Sequence, residues 1–309
     1  MSKPLFSIIT PCLNRAEFIE TAIQSVKNQS YTPFEHIIVD GGSTDGSLEI
    51  LKRYPHLQVQ IDQDRGMYDA LNRGVQKAQG EIIGFLNSDD FYEKRVLLKI
   101  AETMLKDTDL DAVSCGAKII KRNKSGKTHI IDKKFAIQNN DLVETLTVGV
   151  PIFNAWFFRR RVFEKNQPFN QNYSYAADRD FLIQLMLHNF KYQPLNMIAY
   201  NYCIHSGSLT FGDDSQKYIE FTSENLLIAE DFLKRRPLSP YFWKSLIKMH
   251  DYYSTEIIIK KIKQKKFLSS LSDFHKAWKI NNRWPFNFIT ALLPRSIKYI
   301  IGNHKLKND

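Results

Sequence analysis

DRGMYDALNRGVQKAQGEIIGFLNSDD, Asp64 to Asp90, holds a helix, a strand and an acidic turn within 27 residues. Met67, Ala70, Leu71, Gly74, Val75 and Ala78 recur at i, i+3, i+4, i+7, i+8 and i+11, which predicts an amphipathic helix over Met67–Gln79 that stops at Gly80. Ile82–Leu86 then reads as a buried strand, being short, apolar throughout and bounded by polar turns. The same pattern extends outward. Ser7–Thr10, Glu35–Asp40, Leu57–Ile61 and Ala112–Ile120 read as strands, and Ala16–Asn28, Ser47–Tyr54 and Lys94–Leu105 as helices. Short apolar strands separated by amphipathic helices predict an α/β fold with a doubly wound, mostly parallel sheet.

In such sheets ligands bind beyond the carboxyl ends of the strands. Pro11, Asn14 and Arg15 follow the first strand, DGGSTDGS (Asp40–Ser47) the second, Asp62, Asp64 and Arg65 the third, and Asn87, Ser88, Asp89 and Asp90 the fourth. DGGSTDGS lacks the G-x-G-x-x-G spacing, which excludes a dinucleotide fingerprint; Asp, Gly and Ser also serve any tight turn. Asp40 ends an apolar strand, where a carboxylate needs hydrogen-bond donors. The base or ribose of a nucleotide is one source of them. In LNSDD, two adjacent acids and an amide concentrate hard oxygen ligands, and like charges so close favour a cation such as Mg²⁺ or Mn²⁺ that also holds a diphosphate. The competing role, for Asp90 above all, is to cap the helix beginning near Lys94.

The chain carries 43 Lys/Arg against 33 Asp/Glu, a formal net charge of +10. Between Glu230 and Asp309 there are seventeen basic and six acidic residues, so the first 229 residues are near neutral. Acids at the cleft and bases at the far end are the reverse of a phosphate-tracking groove, which argues against nucleic acid as a partner. A basic tail on a neutral body suits an anionic membrane surface. Cys12, Cys115 and Cys203 are few and far apart, which excludes a disulfide framework and fits a reducing compartment. Met1–Thr10 shows no charged n-region before an apolar run, so a cytoplasmic protein, peripheral at the inner face of the cell membrane, is expected. Beyond Asp213, Tyr218–Arg236, Tyr241–Lys266 and Leu268–Ile280 read as helices, and no run reaches the roughly eighteen apolar residues that a spanning helix needs. KKIKQKK (Lys260–Lys266) and the aromatic-rich Trp284–Ile301 are expected to lie among lipid headgroups or to form a solvated helical face.

SIITPCLNR, VDGGSTDGS, the Asp64–Asp90 stretch and YAADRDFLIQLML together resemble the inverting family 2 glycosyltransferases of the GT-A fold, in particular those that build exopolysaccharide, capsule or O-antigen repeat units. The resemblance runs from about Leu5 to about Thr210. It implies a Rossmann-like, doubly wound mixed sheet with helices on both faces over residues 1–212, divided into a nucleotide-sugar half (about 1–120) and an acceptor half (about 121–212). A smaller basic, mostly helical region over 213–309 follows. A UDP-, GDP- or dTDP-sugar donor, a glycan or lipid-linked glycan acceptor and a divalent metal, Mn²⁺ or Mg²⁺, are implied with it.

Carried over by motif, Asp40 resembles the acid that contacts the nucleoside, Pro11 and Asn14 belong to the opening donor-site motif, and Asp64 and Arg65 fall in a loop that lines the donor site. Asn72 resembles a residue near the nucleotide; its alternative is a solvated helix position. Asn87 and Ser88 are implied donor-binding positions leading to Asp89, which stands at the metal-binding carboxylate of D-x-D; Asn87 departs from the pattern, since many relatives have Asp there, though its amide oxygen can still contact a ribose or water. Asp178 occupies the place of the catalytic base, with Ala177 where the motif usually has Glu. The residues agree, because Asp178 shares a helix face with Phe181, Leu182 and Leu185 while Asp180 points with Gln184 to the other side. Its alternative is a first-turn acid favoured by the helix dipole. His205 resembles a histidine that approaches the metal or the diphosphate, the alternative being a hydrogen-bonded structural histidine. Trp156 is expected near the acceptor cleft, with Phe157, Phe158 and Phe163 in the core. These assignments imply a single displacement; a sugar-nucleotide nucleotidyltransferase and a sugar-nucleotide-binding scaffold without turnover are the competing functions.

Overall fold

β1 (Phe6–Cys12) is buried along its whole length, because it has strands on both edges and helices on both faces. Phe6 and Ile8 pack into a core shared with Ile19, Ile23 and Val26 of α1 (Ile19–Lys27). Ile9 faces the other way, toward α3 (Met67–Lys77), where a Cβ on Gly74 would lie 2.3 Å from its Cγ2. Gly74 thus sets how closely helix and strand approach.

The computed structural model describes residues 3–63, 65–122, 128–138, 141–164, 168–188, 190–205, 215–235 and 238–292. The chain divides into two compact units, Met1–Asp213 and Asp214–Asp309. In the first, β2 (Phe34–Asp40), α2 (Ser47–Lys52), β3 (Leu57–Ile61), β4 (Ile82–Phe85), β5 (Phe91–Tyr92), α4 (Val96–Lys106), β6 (Ala112–Arg122), β7 (Thr128–Lys134), α5 (Leu142–Thr147), β8 (Trp156–Arg159), α6 (Ala177–Met186) and β9 (Tyr192–Ile204) complete a mixed α/β, GT-A-like architecture. The sheet runs β3-β2-β1-β4-β8-β6-β9-β5, with β7 on β6.

The sheet is mixed: parallel pairing runs through its first half and returns in the second between β6 and β9. β3, β2, β1 and β4 are mutually parallel, whereas β8 is antiparallel to β4 and β6, and β7 to β6. Five residues separate β6 from β7, too few for the crossover that a parallel pair requires. Pro11 also differs from expectation. It lies inside β1, paired with Val39, and is buried rather than presented after the strand. β4 pairs only with Phe6–Ile9, so the missing N–H of Pro11 costs no ladder bond on that edge.

Phe85, Phe153, Phe158, Phe163, Phe169 and Phe181 form an aromatic cluster beneath β4 and β8, with centroid separations of 5.0–6.4 Å. The core placement expected of Phe157, Phe158 and Phe163 is observed.

The second unit comprises α7 (Ser215–Lys234), α8 (Pro240–Lys263), α9 (Phe267–Ile280) and α10 (Trp284–Leu292). Ser239 caps α8 by accepting the Phe242 N–H, and Pro240 fills its first position. Trp284, Ile258, Ala277 and Phe288 form its small core. Among the described residues, no helix is long and apolar enough to cross a membrane.

Candidate active site

The loops after β1 and β2 are joined side chain to backbone. Asn14, at φ 53°, donates its N–H to the Ser43 hydroxyl at 2.8 Å, and its side-chain oxygen accepts the Thr44 N–H at 2.8 Å. The Arg15 N–H bonds Ser47 Oγ, and Asp45 accepts from the Ala16 N–H and from Ser47. Asp40 is fully buried; it accepts the N–H groups of Gly42 and Ser43 at 2.9 and 2.7 Å and the Ser43 hydroxyl at 2.7 Å. The donors this carboxylate requires therefore come from its own turn.

At the end of β4 the adjacent acids part. Asp89 is half-buried, and its Oδ2 lies 2.9 Å from His205 Nε2 and 3.8 Å from Arg15 Nε. The His205 ring stacks on Phe18 at 4.6 Å, which fixes its plane. Asp90 turns inward: Tyr200 donates its hydroxyl at 2.5 Å, the Cys203 N–H donates at 2.7 Å, and Asn87 donates its amide N–H at 3.2 Å. Burial, then the charge of Asp89, lifts the Asp90 carboxyl well above the usual carboxylate range. Asp90 thus neither caps a helix nor faces a ligand. α4 starts two residues beyond Lys94, without a side-chain cap, and Asp90 fastens β9 to the end of β4. Asn87 shares in this, since its amide points to Asp90 and its N–H to Tyr200.

The third part of the site joins α3 to the segment before α6. Asn72 is buried; its amide N–H reaches the Phe169 carbonyl at 2.8 Å and its side-chain oxygen takes the Phe169 N–H at 3.1 Å. This corrects the solvated reading of Asn72, since the amide is buried, is occupied by backbone and holds Phe169 in the cluster. Asn72→Ala leaves two buried backbone groups unpaired, an expected loss of about 1–3 kcal/mol per group in urea unfolding. Unchanged stability with weakened donor binding would instead return Asn72 to the donor site. Asp69, also buried, accepts from Gln171, Arg73 and the Arg65 N–H. The exposed Arg65 guanidinium bonds Gln171 at 2.7 Å. Asp64 lies outside the described residues.

Asp178 sits in the first turn of α6, half-buried, and accepts the Arg179 N–H at 2.8 Å and the Tyr68 hydroxyl at 3.1 Å. Burial raises its carboxyl above the usual carboxylate range, against the lowering pull of Arg179 and Tyr68. Asp180 is more buried than Asp178 and bonds Gln184 at 2.7 Å, so facing alone does not separate the two acids. The hydroxyl reaching from α3 does. Asp89 follows Phe85 by four residues and Asp178 precedes Phe181 by three, and both phenylalanines pack on Phe153 and Phe169. Sequence reasoning missed Tyr68, Asp69 and Tyr200. The Tyr68–Asp178, Asp69–Gln171 and Tyr200–Asp90 contacts each span a hundred residues or more, which leaves no local signal for them.

Among the described residues, no group of three or more His, Cys, Asp or Glu could hold a metal ion. Asp89 and His205 nevertheless fit a divalent cation. Their Nε2 and Oδ2 atoms are hydrogen-bonded to each other at 2.9 Å, a contact that a bound cation would replace, and both groups are of types that ligate such cations. Two protein ligands suffice when substrate phosphates and water fill the remaining positions.

Solved structures share this architecture. *Staphylococcus aureus* TarS (residues 1–349, in complex with UDP-GlcNAc) has a TM-score of 0.65 at 21% identity, covering 93% of this chain and 83% of that one. The mannosyltransferase PcManGT of *Pyrobaculum calidifontis*, in complex with GDP-Man and Mn²⁺, has a TM-score of 0.59 at 18% identity, covering 99% and 81%. The likeness to both is one of fold. The profile of Glycosyl transferase family 2 matches residues 7–166, and the chain belongs to that family. A "PGL/p-HBAD biosynthesis glycosyltransferase" of *Mycobacterium tuberculosis* is 31% identical over 248 residues, covering 77% of this chain and 86% of the relative.

Proposed function

We propose that this glycosyltransferase moves a sugar from a nucleotide-sugar donor to a hydroxyl of a glycan or lipid-linked glycan in surface polysaccharide biosynthesis, with inversion at the anomeric carbon. The observation that carries this reading is the pairing of Asp89 with His205 after β4, and the raised carboxyl of Asp178, bonded by the Tyr68 hydroxyl, is the candidate base. The UDP-GlcNAc and GDP-Man bound by the structural neighbours support a nucleotide-sugar donor.

Asp178 takes the proton from the acceptor hydroxyl. The oxygen so freed attacks the anomeric carbon from the face opposite the leaving group, and the bond from that carbon to the diphosphate breaks with its electron pair on the phosphate oxygen. Asp89 and His205 would hold a divalent cation, Mn²⁺ or Mg²⁺, whose positive charge would offset that of the diphosphate. Asp40 acts on the nucleoside through the turn that it holds rigid, and Arg15 adds a cation beside Asp89. Asn14 keeps the two loops in register.

The Tyr68 hydroxyl favours the charged form of Asp178. A base must be deprotonated to act, and removing a group that lowers its pKa raises that pKa. The acid limb of the kcat profile should therefore move to higher pH in Tyr68→Phe. An unmoved limb would disconnect Tyr68 from the base.

The reading extends to the membrane. Five lysines lie between Lys260 and Lys266, directly before Phe267, Leu268 and Leu271, which are 58%, 87% and 65% exposed. Cations beside exposed apolar side chains at the α8–α9 turn suit an anionic leaflet, and so support a peripheral, cytoplasmic enzyme. Of the Trp284–Ile301 segment, residues beyond Leu292 lie outside the described ones. Flotation with phosphatidylcholine/phosphatidylglycerol vesicles should show binding that high salt and Leu268→Glu each abolish. No flotation at low salt would remove the membrane from the account.

A further inference from the structure

A cleft of about 420 Å³ opens in the first unit between the β6–β7 ladder, α5 and the approach to β8. It lies within the roughly 300–1,000 Å³ usual for small-molecule sites. Its floor includes the buried Trp156, held in place by the Tyr192 ring at 5.0 Å. Phe135, 70% exposed, and Val150 stand at the mouth, together with the polar groups of Gln138, Asp141 and Thr145.

We infer that this cleft is a saccharide subsite for the acceptor glycan. The inference rests on the glycosyl-transfer reading. A pyranose has one apolar C–H face and a rim of hydroxyls. An exposed ring beside a carboxylate, an amide and a hydroxyl matches both. The alternatives match less well. A diphosphate would meet Asp141, and the one lysine in the lining, Lys134, is paired with Asp132 at 2.8 Å. A lipid chain would have to desolvate Asp141 and Gln138.

The cleft is also tied to the reacting end. The buried Arg179 guanidinium donates to the carbonyls of Leu146, Thr147 and Gly149 at 3.1, 2.8 and 3.0 Å. Those residues lie between Thr145 and Val150 of the cleft wall, and Arg179 adjoins Asp178. A ring held against this wall therefore has a fixed position relative to the first turn of α6. A displacement of one wall would carry to the other through a single side chain.

Saturation-transfer NMR on the full chain, with methyl glycosides of glucose, galactose, N-acetylglucosamine and rhamnose as probes, tests the assignment. At least one glycoside should be saturated. Phe135→Ala and Asp141→Ala should each weaken that binding at least tenfold, with melting temperature and UDP binding unchanged, while Asp178→Asn keeps it. Absence of saturation by every glycoside, or saturation indifferent to Phe135 and Asp141, overturns the subsite. Glycoside binding at the cleft without turnover of any nucleotide sugar overturns the transfer reading and the acceptor role with it. Turnover accompanied by glycoside binding blind to both substitutions overturns the subsite alone.

Discussion

Replacing Asp178 with asparagine is expected to slow sugar transfer by at least about 10²- to 10⁴-fold while donor affinity stays within about twofold. Asparagine keeps the size of the side chain and can still accept the Tyr68 hydroxyl and the Arg179 N–H that fix the first turn of α6. What it loses is the ability to take a proton. The desolvation that raises the Asp178 carboxyl brings it nearer to the pH at which a base both is ionised and has appreciable driving force for proton transfer. A loss confined to kcat, measured with saturating donor and acceptor, is the signature of a group acting only in the transition state. Equal turnover in the variant would move the base elsewhere, and Asp180, buried nearby, would be the first residue to examine.

Replacing Asp89 with alanine should have an effect of similar size by another route. On the proposed reading Asp89 and His205 would be the two side chains that hold the cation, so the variant would remove half of the protein's share of the ligand set. The loss of metal affinity should exceed the roughly 10- to 100-fold that follows from removing a supporting hydrogen bond. Wild-type turnover should vanish with EDTA and return with Mn²⁺ or Mg²⁺, whereas Asp89→Ala should respond to neither. Titration of Mn²⁺ with donor into His205→Ala then separates the two ligands. Unchanged affinity there would leave His205 as a positioning group stacked on Phe18. EDTA-insensitive turnover in the wild type would remove the metal from the mechanism.

Much of this architecture was legible in the sequence because it is written in local periodicity. The six apolar positions from Met67 to Ala78 located α3 to within two residues, and β3 has the bounds expected of it. The polar strand ends after β1, β2 and β4 do line one edge of the sheet. Where the reading failed, the deciding partner was remote. Asn72 looked either solvated or ligand-facing from its own helix, but its partner Phe169 lies 97 residues on. Asp90 looked like a cap, yet the hydroxyl that buries it comes from Tyr200. Pro11 looked like a strand end because a proline usually is one; its tolerance depends on β4 having already stopped pairing. The contact between Asp89 and His205 spans 116 residues, and only the family resemblance had pointed to both.

The most direct test follows the phosphorus. UDP-, GDP- and dTDP-sugars are incubated with the full chain and Mn²⁺, and the products are resolved by ³¹P NMR. Release of nucleoside diphosphate from at least one donor, suppressed in Asp178→Asn, is the expected result. Pyrophosphate among the products would identify a nucleotidyltransferase, and donors that bind yet stay intact would identify a scaffold; either contradicts transfer at this site.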